Sequence, residues 1–142
     1  MIMKNKDFLI TLCVVFILNI SFSQEILGKW KTVDDNTGTE KSIVEIYKKE
    51  GKIYGKVVEI FNKAKQDVKC VECEGEDKDK PVIGMNIIKG LEKDGNVYND
   101  GTITNPENGK VYDCRLKVVD NKLQVRGYVA FFYRTQYWIP ME

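Results

Sequence analysis

The chain has 142 residues, with 22 basic and 21 acidic side chains, 11% aromatic residues and no His. A charge balance this even excludes the dense basic surface of a typical nucleic-acid-binding protein, so we expect no nucleic-acid partner. Without His, and with Ser42 as the only Ser after residue 23, the sequence also argues against hydrolysis by a Ser-His pair.

The first 23 residues have the pattern of an export signal. Lys4 and Lys6 provide a positive start, residues 8–20 form a largely apolar run, and small residues precede position 24. We predict cleavage between Ser23 and Gln24, which places the mature protein in the periplasm or outside the cell. The apolar run is shorter than the roughly 20 residues that a membrane-spanning helix needs, so no stable membrane anchor is expected after cleavage.

The remaining residues, 24–142, have the usual size of one domain and are predicted to fold as a single unit. Runs rich in Val, Ile, Tyr and Phe alternate there with turn signals such as Asp94-Gly95 and Asp120-Asn121. The predicted strands are 28–33, 41–49, 52–61, 82–88, 96–104, 110–119, 122–129 and 134–139.

Eight short strands without a long helical pattern favour an all-β protein, either a barrel or a sandwich. The alternation is clearest in 111–118, where the face that holds Tyr112 and Cys114 is apolar and the other face is charged. A barrel of this size is just wide enough to be filled by side chains or to hold one small ligand. The filling of its lumen is therefore the central functional question.

The connection 62–81 is unusual, because compact domains seldom contain so long a stretch of irregular chain. We interpret it as either a lid or a mobile insertion, and its first residues, 62–67, as a short helix. Its acidic side chains are interpreted as a solvated surface, since charges of one sign repel each other and stay exposed. They are Glu72, Glu74, Glu76, Asp77 and Asp79.

Three Cys residues follow the export signal, and export favours their oxidation. We predict a small disulfide between Cys70 and Cys73 that fixes the long connection, with Cys114 buried on its strand. A bond between Cys73 and Cys114 is the alternative. Redox catalysis is disfavoured because Glu72 and Glu74 flank the pair, where a stabilised thiolate needs nearby cations.

The sequence favours neither a metal nor a cofactor. A zinc site would need a fourth ligand beside the three sulfurs, and no His is present to supply one. The acidic residues of the long connection do not have the spacing of an EF-hand calcium loop.

Short motifs occur in a specific order between residues 26 and 139. They are Gly28-Lys29-Trp30, Ser42-Ile43-Val44-Glu45-Ile46, Cys70-Val71-Glu72-Cys73, Pro81-Val82-Ile83-Gly84-Met85, Gly101-Thr102-Ile103, Pro106-Glu107-Asn108-Gly109-Lys110-Val111-Tyr112, Arg126-Gly127-Tyr128 and Arg134-Thr135-Gln136-Tyr137-Trp138. In this order and spacing the chain resembles the exported bacterial domain-of-unknown-function family 2147. That family is similar to the calycin group of lipocalin-like barrels, so the resemblance implies export and an eight-stranded antiparallel up-and-down barrel, but no reaction, substrate or catalytic residue.

The first and last motifs provide an early Trp and a late Arg as candidates for closing the barrel. We expect the Arg134 guanidinium to lie over the Trp30 indole and to donate to nearby carbonyl groups, so that stacking and cation attraction both contribute. Arg126 is the alternative partner for the indole.

Aromatic residues also provide candidate contacts for a ligand or a partner. Tyr54 and Tyr112, together with Arg126, are candidates for lining a cavity, and the alternative is that the aromatic side chains only fill the core. Phe131 and Phe132 belong to a run of four apolar residues, some of which must be exposed. Exposed aromatic side chains often mark a contact site.

Three functional hypotheses follow. The preferred one is a non-enzymatic barrel that binds a small apolar or amphipathic ligand in its lumen or beneath the loop that holds Cys70. The second is a cell-envelope protein-interaction module with a filled barrel, which meets its partner through a loop edge or through Phe131 and Phe132. The third is an enzyme that uses carboxylates and tyrosines, which requires buried acids with raised pKa values.

Overall fold

The computed structural model describes residues 25–141, so the predicted export signal and the cleavage point between Ser23 and Gln24 lie outside the described residues. The strands are β1 Gly28–Val33, β2 Glu40–Lys49, β3 Lys52–Ile60, β4 Asn86–Asp94, β5 Val97–Thr104, β6 Val111–Val119, β7 Lys122–Val129 and β8 Phe132–Pro140. Each strand pairs antiparallel with the next, and β8 pairs with β1, which closes the sheet. The predicted eight-stranded up-and-down barrel is confirmed. Within 25–141, no helix has the length and apolar character needed to cross a membrane.

Two of the turns between strands have the backbone conformation that two-residue hairpins need. Glu50 and Gly51 have φ values of 52° and 78°, and Asp120 and Asn121 have φ values of 49° and 64°. Two successive residues with positive φ are typical of the type I′ turn, whose twist matches that of the adjoining strands. These turns fix the register of β2 with β3 and of β6 with β7.

Because consecutive strands run antiparallel, their connections alternate between the two ends of the barrel. We call the end that holds the connections β2–β3, β4–β5 and β6–β7 the base. The other end, which holds the connections β1–β2, β3–β4, β5–β6 and β7–β8, is called the mouth.

The base half of the lumen is filled by apolar side chains. Trp30 and Trp138 are 6% and 2% exposed, and Leu91, Leu116 and Leu123 are fully buried beside them. Truncation of a buried Trp to Ala typically costs about 3–5 kcal/mol of folding free energy. This packed base therefore supplies much of the stability of the barrel and leaves no room there for a ligand.

The fourth strand was predicted in the wrong place. Residues 82–88 were expected to form it, whereas β4 is Asn86–Asp94. The backbone N–H of Val82 donates instead to the carbonyl of Val68, and the Val82 side chain is buried within the long connection. Gly90, with a φ of 71°, lies inside β4 as an irregular residue rather than beyond its end. An apolar run alone does not distinguish a strand from a buried connection.

The seam between β1 and β8 is short. Within residues 25–141, the two strands pair only through Trp30 with Pro140 and Lys31 with Ile139. One further backbone bond, from the N–H of Met141 to the carbonyl of Lys29, continues the seam at the base. Towards the mouth, β8 runs on beyond this paired segment, so side chains must complete the closure there.

Candidate functional site: the mouth of the barrel

The lumen-facing side chains become more exposed along β7 and β8 towards the mouth. On β7 the lumen-facing positions are Leu123 and Val125, which are buried, then Gly127, which is half-buried. On β8 the lumen-facing side chains include the buried Trp138 near the base and the exposed Arg134 near the mouth. Since side chains alternate between the two faces of a strand, these positions all belong to the lumen face.

An ion pair crosses the seam at the mouth. The Arg134 Nε and Nη2 atoms donate to the two carboxylate oxygens of Asp35, each at 2.6 Å. These hydrogen bonds lower the pKa of Asp35 and raise the pKa of Arg134. The Arg134 side chain is 63% exposed, so solvent screening limits the pair to about 0.5–1 kcal/mol despite its bidentate geometry. It closes the barrel beyond the end of the backbone pairing.

The predicted stack of Arg134 on Trp30 does not form. Trp30 lies opposite Pro140, which is six positions along β8 from Arg134, a separation of about 20 Å. The Trp30 Nε1 donates instead to the backbone carbonyl of Ile26 at 2.8 Å. Trp30 and Arg134 thus act at opposite ends of the seam, the first by filling the base and the second by pairing with Asp35.

Two of the predicted ligand contacts lie outside the lumen. Tyr54 stacks on Tyr47 with ring centroids 5.8 Å apart, and both residues are on the outer face of the β2–β3 hairpin. Arg126 is also on the outside, where its Nε donates to the Thr135 hydroxyl at 3.1 Å and its guanidinium lies 4.9 Å from the Tyr133 ring centroid. Neither Tyr54 nor Arg126 is therefore placed to line the barrel interior, and Arg126 does not contact Trp30.

Tyr112, by contrast, is placed at the mouth. A Cβ added at Gly127 would lie 3.3 Å from the Tyr112 Cβ and 3.6 Å from the Ile103 Cγ2, so these three residues face one another inside the barrel. Ile103 and Tyr112 are also direct neighbours across β5 and β6. Tyr112 thus packs directly over Gly127, where the absence of a side chain makes room for it.

Polar groups share the mouth with this apolar wall. The hydroxyl groups of Thr32 and Ser42 lie 2.7 Å apart on neighbouring strands, and the Gln136 Oε1 accepts a hydrogen bond from the Trp138 Nε1 at 3.0 Å. With Arg134 nearby, the mouth presents hydrogen-bonding groups on the β8–β1–β2 side. Its two sides therefore have the chemistry that an amphipathic molecule requires.

The long connection packs on the outside of β4 and on one loop at the mouth. Asp77 pairs with Lys89, whose side chain is on the outer face of β4 opposite to the buried Ile88. A Cβ added at Gly109 would overlap the Glu72 carbonyl, so the connection also packs directly on the β5–β6 loop. The connection is therefore held by defined contacts at one side of the mouth.

Local structure within the connection includes two short 3-10 turns and an isolated antiparallel bridge between Lys69 and Pro81. The first, Lys63–Lys65, begins where the Asn62 side chain accepts a hydrogen bond from the Ala64 N–H, which corresponds to the short helix predicted at 62–67. The second is Gly75–Asp77. Two open grooves of 460 and 700 Å³ flank the connection on the outside of the barrel, and Asp77 borders both.

The predicted disulfide is confirmed. Cys70 is bonded to Cys73, and both sulfurs are buried between the connection and the barrel. The Cys70 Sγ also lies 3.5 Å from the Pro106 carbonyl oxygen. Cys114 is a free thiol, and burial raises its pKa to about 12. The alternative bond between Cys73 and Cys114 is therefore excluded.

Phe131 and Phe132 are exposed at the β7–β8 hairpin. Their side chains are 98% and 80% exposed, and the adjoining Val129 is also exposed. Ala130, with a φ of 52°, forms the turn together with Phe131. The residues from Val129 to Phe132 are called the aromatic tip below.

Asp34 and Asp35, at the mouth, do not have the raised pKa values that the enzyme hypothesis requires. Backbone hydrogen bonds from Thr37 and Asn36 lower the pKa of Asp34, and the pKa of Asp35 is lowered by Arg134. A general acid would need a raised pKa. No cluster of three or more metal-ligating side chains occurs in the described part of the chain.

Asp35 is the residue at the mouth that sequence reasoning missed. It lies in a run typical of a turn, Asp34-Asp35-Asn36, and is separated from Arg134 by 99 positions. Only the register that brings β8 beside β1 places the two side chains together. No local signal in the sequence identifies that pairing.

Comparisons with known proteins agree with the fold. A family model described as an uncharacterised protein conserved in bacteria (DUF2147) matches residues 28–139, which confirms the resemblance carried by the motifs. Among solved structures, the chain is similar to protein HP1028 of the human pathogen Helicobacter pylori, described as belonging to the lipocalin family. The TM-score is 0.72 at 19% identity, over 83% of this chain and 84% of that chain, a likeness that shows the fold alone. No curated protein sequence matches the chain.

Proposed function

The chain belongs to the family of uncharacterised bacterial proteins designated DUF2147, and from that premise and its barrel fold we propose that it binds a small amphipathic molecule at the mouth. The observation that carries this proposal is the change in exposure along the lumen, from the buried Trp138 to the exposed Arg134. The packed base restricts the ligand to the outer half of the barrel. The bound molecule is therefore short or only partly enclosed.

The chemistry of the mouth suggests how the ligand lies. Its apolar part packs against Tyr112 and Ile103, which lie together beside Gly127. Its polar part lies on the opposite side and accepts a hydrogen bond from Arg134. Because Asp35 already neutralises most of the Arg134 charge, the site favours a polar acceptor or a weakly anionic group over a multiply charged one.

A titration with a dansyl-labelled undecanoic acid tests the proposal, because this probe has an apolar chain and a single polar end. We expect the probe to bind the parent protein and to bind the Gly127→Leu variant at least about tenfold more weakly, since a leucine there must displace the Tyr112 side chain that packs over Gly127. Gln124→Leu, on the outer face of the same strand, is the matched control and is expected to bind as the parent does. Equal affinity of parent and Gly127→Leu would contradict binding at the mouth.

We further propose that the protein acts after export, in the periplasm or outside the cell. The disulfide between Cys70 and Cys73 supports this location, because disulfides persist in oxidising compartments. Mass spectrometry of the protein recovered from the periplasm and the medium is expected to give an N-terminus at Gln24. An intact N-terminus in the recovered protein would contradict cleavage at Ser23.

A further inference from the structure

The outer wall of the barrel beside the aromatic tip has an ordered gradient of polarity. Phe131 and Phe132 at the tip are apolar and almost fully exposed. The next outward-facing pair towards the base is Tyr128 with Tyr133, whose rings are 5.6 Å apart, and the Arg126 guanidinium lies against the Tyr133 ring. Apolar side chains thus give way to amphipathic ones and then to a cation. This is the order in which a membrane surface changes from hydrocarbon to headgroups.

Two cations lie side by side on this wall. Arg115 and Arg126 are direct neighbours across β6 and β7, and both point outward. Like charges directly opposite each other destabilise a sheet unless a group of opposite charge compensates them. Within residues 25–141, no carboxylate forms an ion pair with either guanidinium, although Asp113 lies on the same face of β6. The pair is therefore suited to binding an anionic group from outside the chain.

The spacing between the cations and the tip matches the depth of a membrane interface. The Arg126 guanidinium lies at the level of Tyr133, two residues from Phe131, which corresponds to about 7 Å along the strand. Interfacial proteins bury their apolar groups about 5–10 Å below the headgroups. When Phe131 reaches the acyl chains, Arg126 is therefore at the level of the lipid phosphates.

From these observations we propose that the aromatic tip docks reversibly on an anionic lipid surface, with Phe131 and Phe132 inserted and the Arg115–Arg126 pair bound to lipid phosphate. Two aromatic side chains and two cations give a weak attachment, well short of a membrane anchor. The docking surface combines the aromatic tip, at the rim of the mouth, with the outer wall of β6 and β7 beside it. It holds the mouth close to a membrane, which is a source of amphipathic molecules.

Co-sedimentation of the mature protein with lipid vesicles tests the docking surface. One vesicle population contains phosphatidylglycerol and phosphatidylethanolamine, and the other contains only zwitterionic phosphatidylcholine. We expect binding to the anionic vesicles, and a loss of about tenfold or more in the Phe131→Ser/Phe132→Ser variant. The Arg115→Gln/Arg126→Gln variant is expected to lose its preference for the anionic vesicles, with a smaller change on phosphatidylcholine.

Matched controls separate docking from general charge or hydrophobicity. Lys48→Gln/Lys49→Gln removes two exposed cations near the base of β2, and Val71→Ser removes an exposed apolar side chain from the long connection. Both are expected to bind vesicles as the parent does. Circular dichroism verifies that every variant retains the barrel, which is expected because all substituted side chains lie on its surface.

Fluorescence quenching measures the depth of insertion independently. In Phe131→Trp, the new indole is expected to be quenched by lipids brominated on their acyl chains, whereas the native Trp30 and Trp138 are buried in the barrel. Failure of the parent to bind either vesicle, or equal binding of the parent and the Phe131→Ser/Phe132→Ser variant, would overturn the proposal. Capture of an envelope protein by the tip without lipid binding would also overturn it. These outcomes are independent of the undecanoic acid titration, which reports on the mouth.

Discussion

The contact between Gly109 and the long connection provides a sharp test of how that connection is held. Gly109 has a φ of 72°, and a Cβ added there would overlap the Glu72 carbonyl and lie 2.8 Å from the Cys73 backbone nitrogen. The overlapping atoms belong to the backbone, so rotation of a side chain cannot relieve the clash. In Gly109→Ala, the segment around Glu72 must move away from the β5–β6 loop.

Two costs contribute to the predicted loss of stability. An L-residue with positive φ costs roughly 1–2 kcal/mol, and overpacking adds typically about 1–3 kcal/mol. Gly38→Ala is the matched control, because Gly38 has a φ of 71° but nothing within 4 Å of an added Cβ. The control therefore has the conformational cost alone. The difference between the two variants isolates the packing of the connection on the barrel.

Thermal denaturation followed by circular dichroism measures this difference. At about 4 °C per kcal/mol for a domain of this size, Gly109→Ala is expected to melt about 4–12 °C below Gly38→Ala. Displacement of the connection also exposes the buried bond between Cys70 and Cys73, so its reduction by dithiothreitol is expected to be faster in Gly109→Ala. Equal melting temperatures and equal reduction rates in the two variants would refute the packing of the connection on the β5–β6 loop.

Three further predictions follow from the cysteines and the ion pair. Removal of the disulfide in the Cys70→Ser/Cys73→Ser variant is expected to lower the free energy of unfolding in urea by only about 2 kcal/mol, because the loop that the bond closes is short. An unchanged free energy of unfolding would show that the disulfide does not constrain the chain. Cys114, whose pKa is raised to about 12 by burial, is expected to resist iodoacetamide at pH 8 until the protein is unfolded; rapid labelling of the folded protein would contradict its burial. The pKa of Asp35 is lowered from 3.8 in the folded state, so its pairing with Arg134 stabilises the protein above about pH 3.8 and is lost as the pH falls through the folded-state value. The urea midpoints of the parent and Asp35→Asn are therefore expected to differ by a constant amount from pH 5 to 7 and to converge below pH 3.8. A difference that grows at low pH would contradict a stabilising effect of the ionised Asp35 carboxylate.

Strand positions were largely predictable because the signals that set them are local. The Glu50-Gly51 and Asp120-Asn121 turns are visible as short polar pairs between apolar runs, and the flanking strands begin and end close to the predicted positions. The strand predicted at 82–88 failed because Val82 packs with the disulfide-bonded connection rather than within the sheet. The segment 82–88 is apolar and partly buried as the sequence indicates, but tertiary contacts rather than local pattern decide what Val82 packs against.

The site was less predictable than the fold because it depends on strand register. The sequence identified Trp30 and Arg134 as important, yet it could not show that they are about 20 Å apart along the seam. The true partner of Arg134 is Asp35, at the other end of the chain. By contrast, the alternation in β6 already groups Tyr112 with Cys114 on the apolar face, whereas Tyr54 shares its face with Lys52 and Lys56; the structure accordingly has Tyr112 in the lumen and Tyr54 outside.

Native mass spectrometry of the mature protein, recovered without reductant from an exported preparation, tests ligand binding at the mouth most directly. We predict an excess mass on the parent protein that is lost on denaturation and that is absent from the Gly127→Leu variant recovered in the same way. An absence of excess mass in repeated preparations, including those exposed to an envelope lipid extract, would contradict ligand binding as the function of the barrel. Excess mass of equal size on both proteins would place the ligand elsewhere than beside Tyr112.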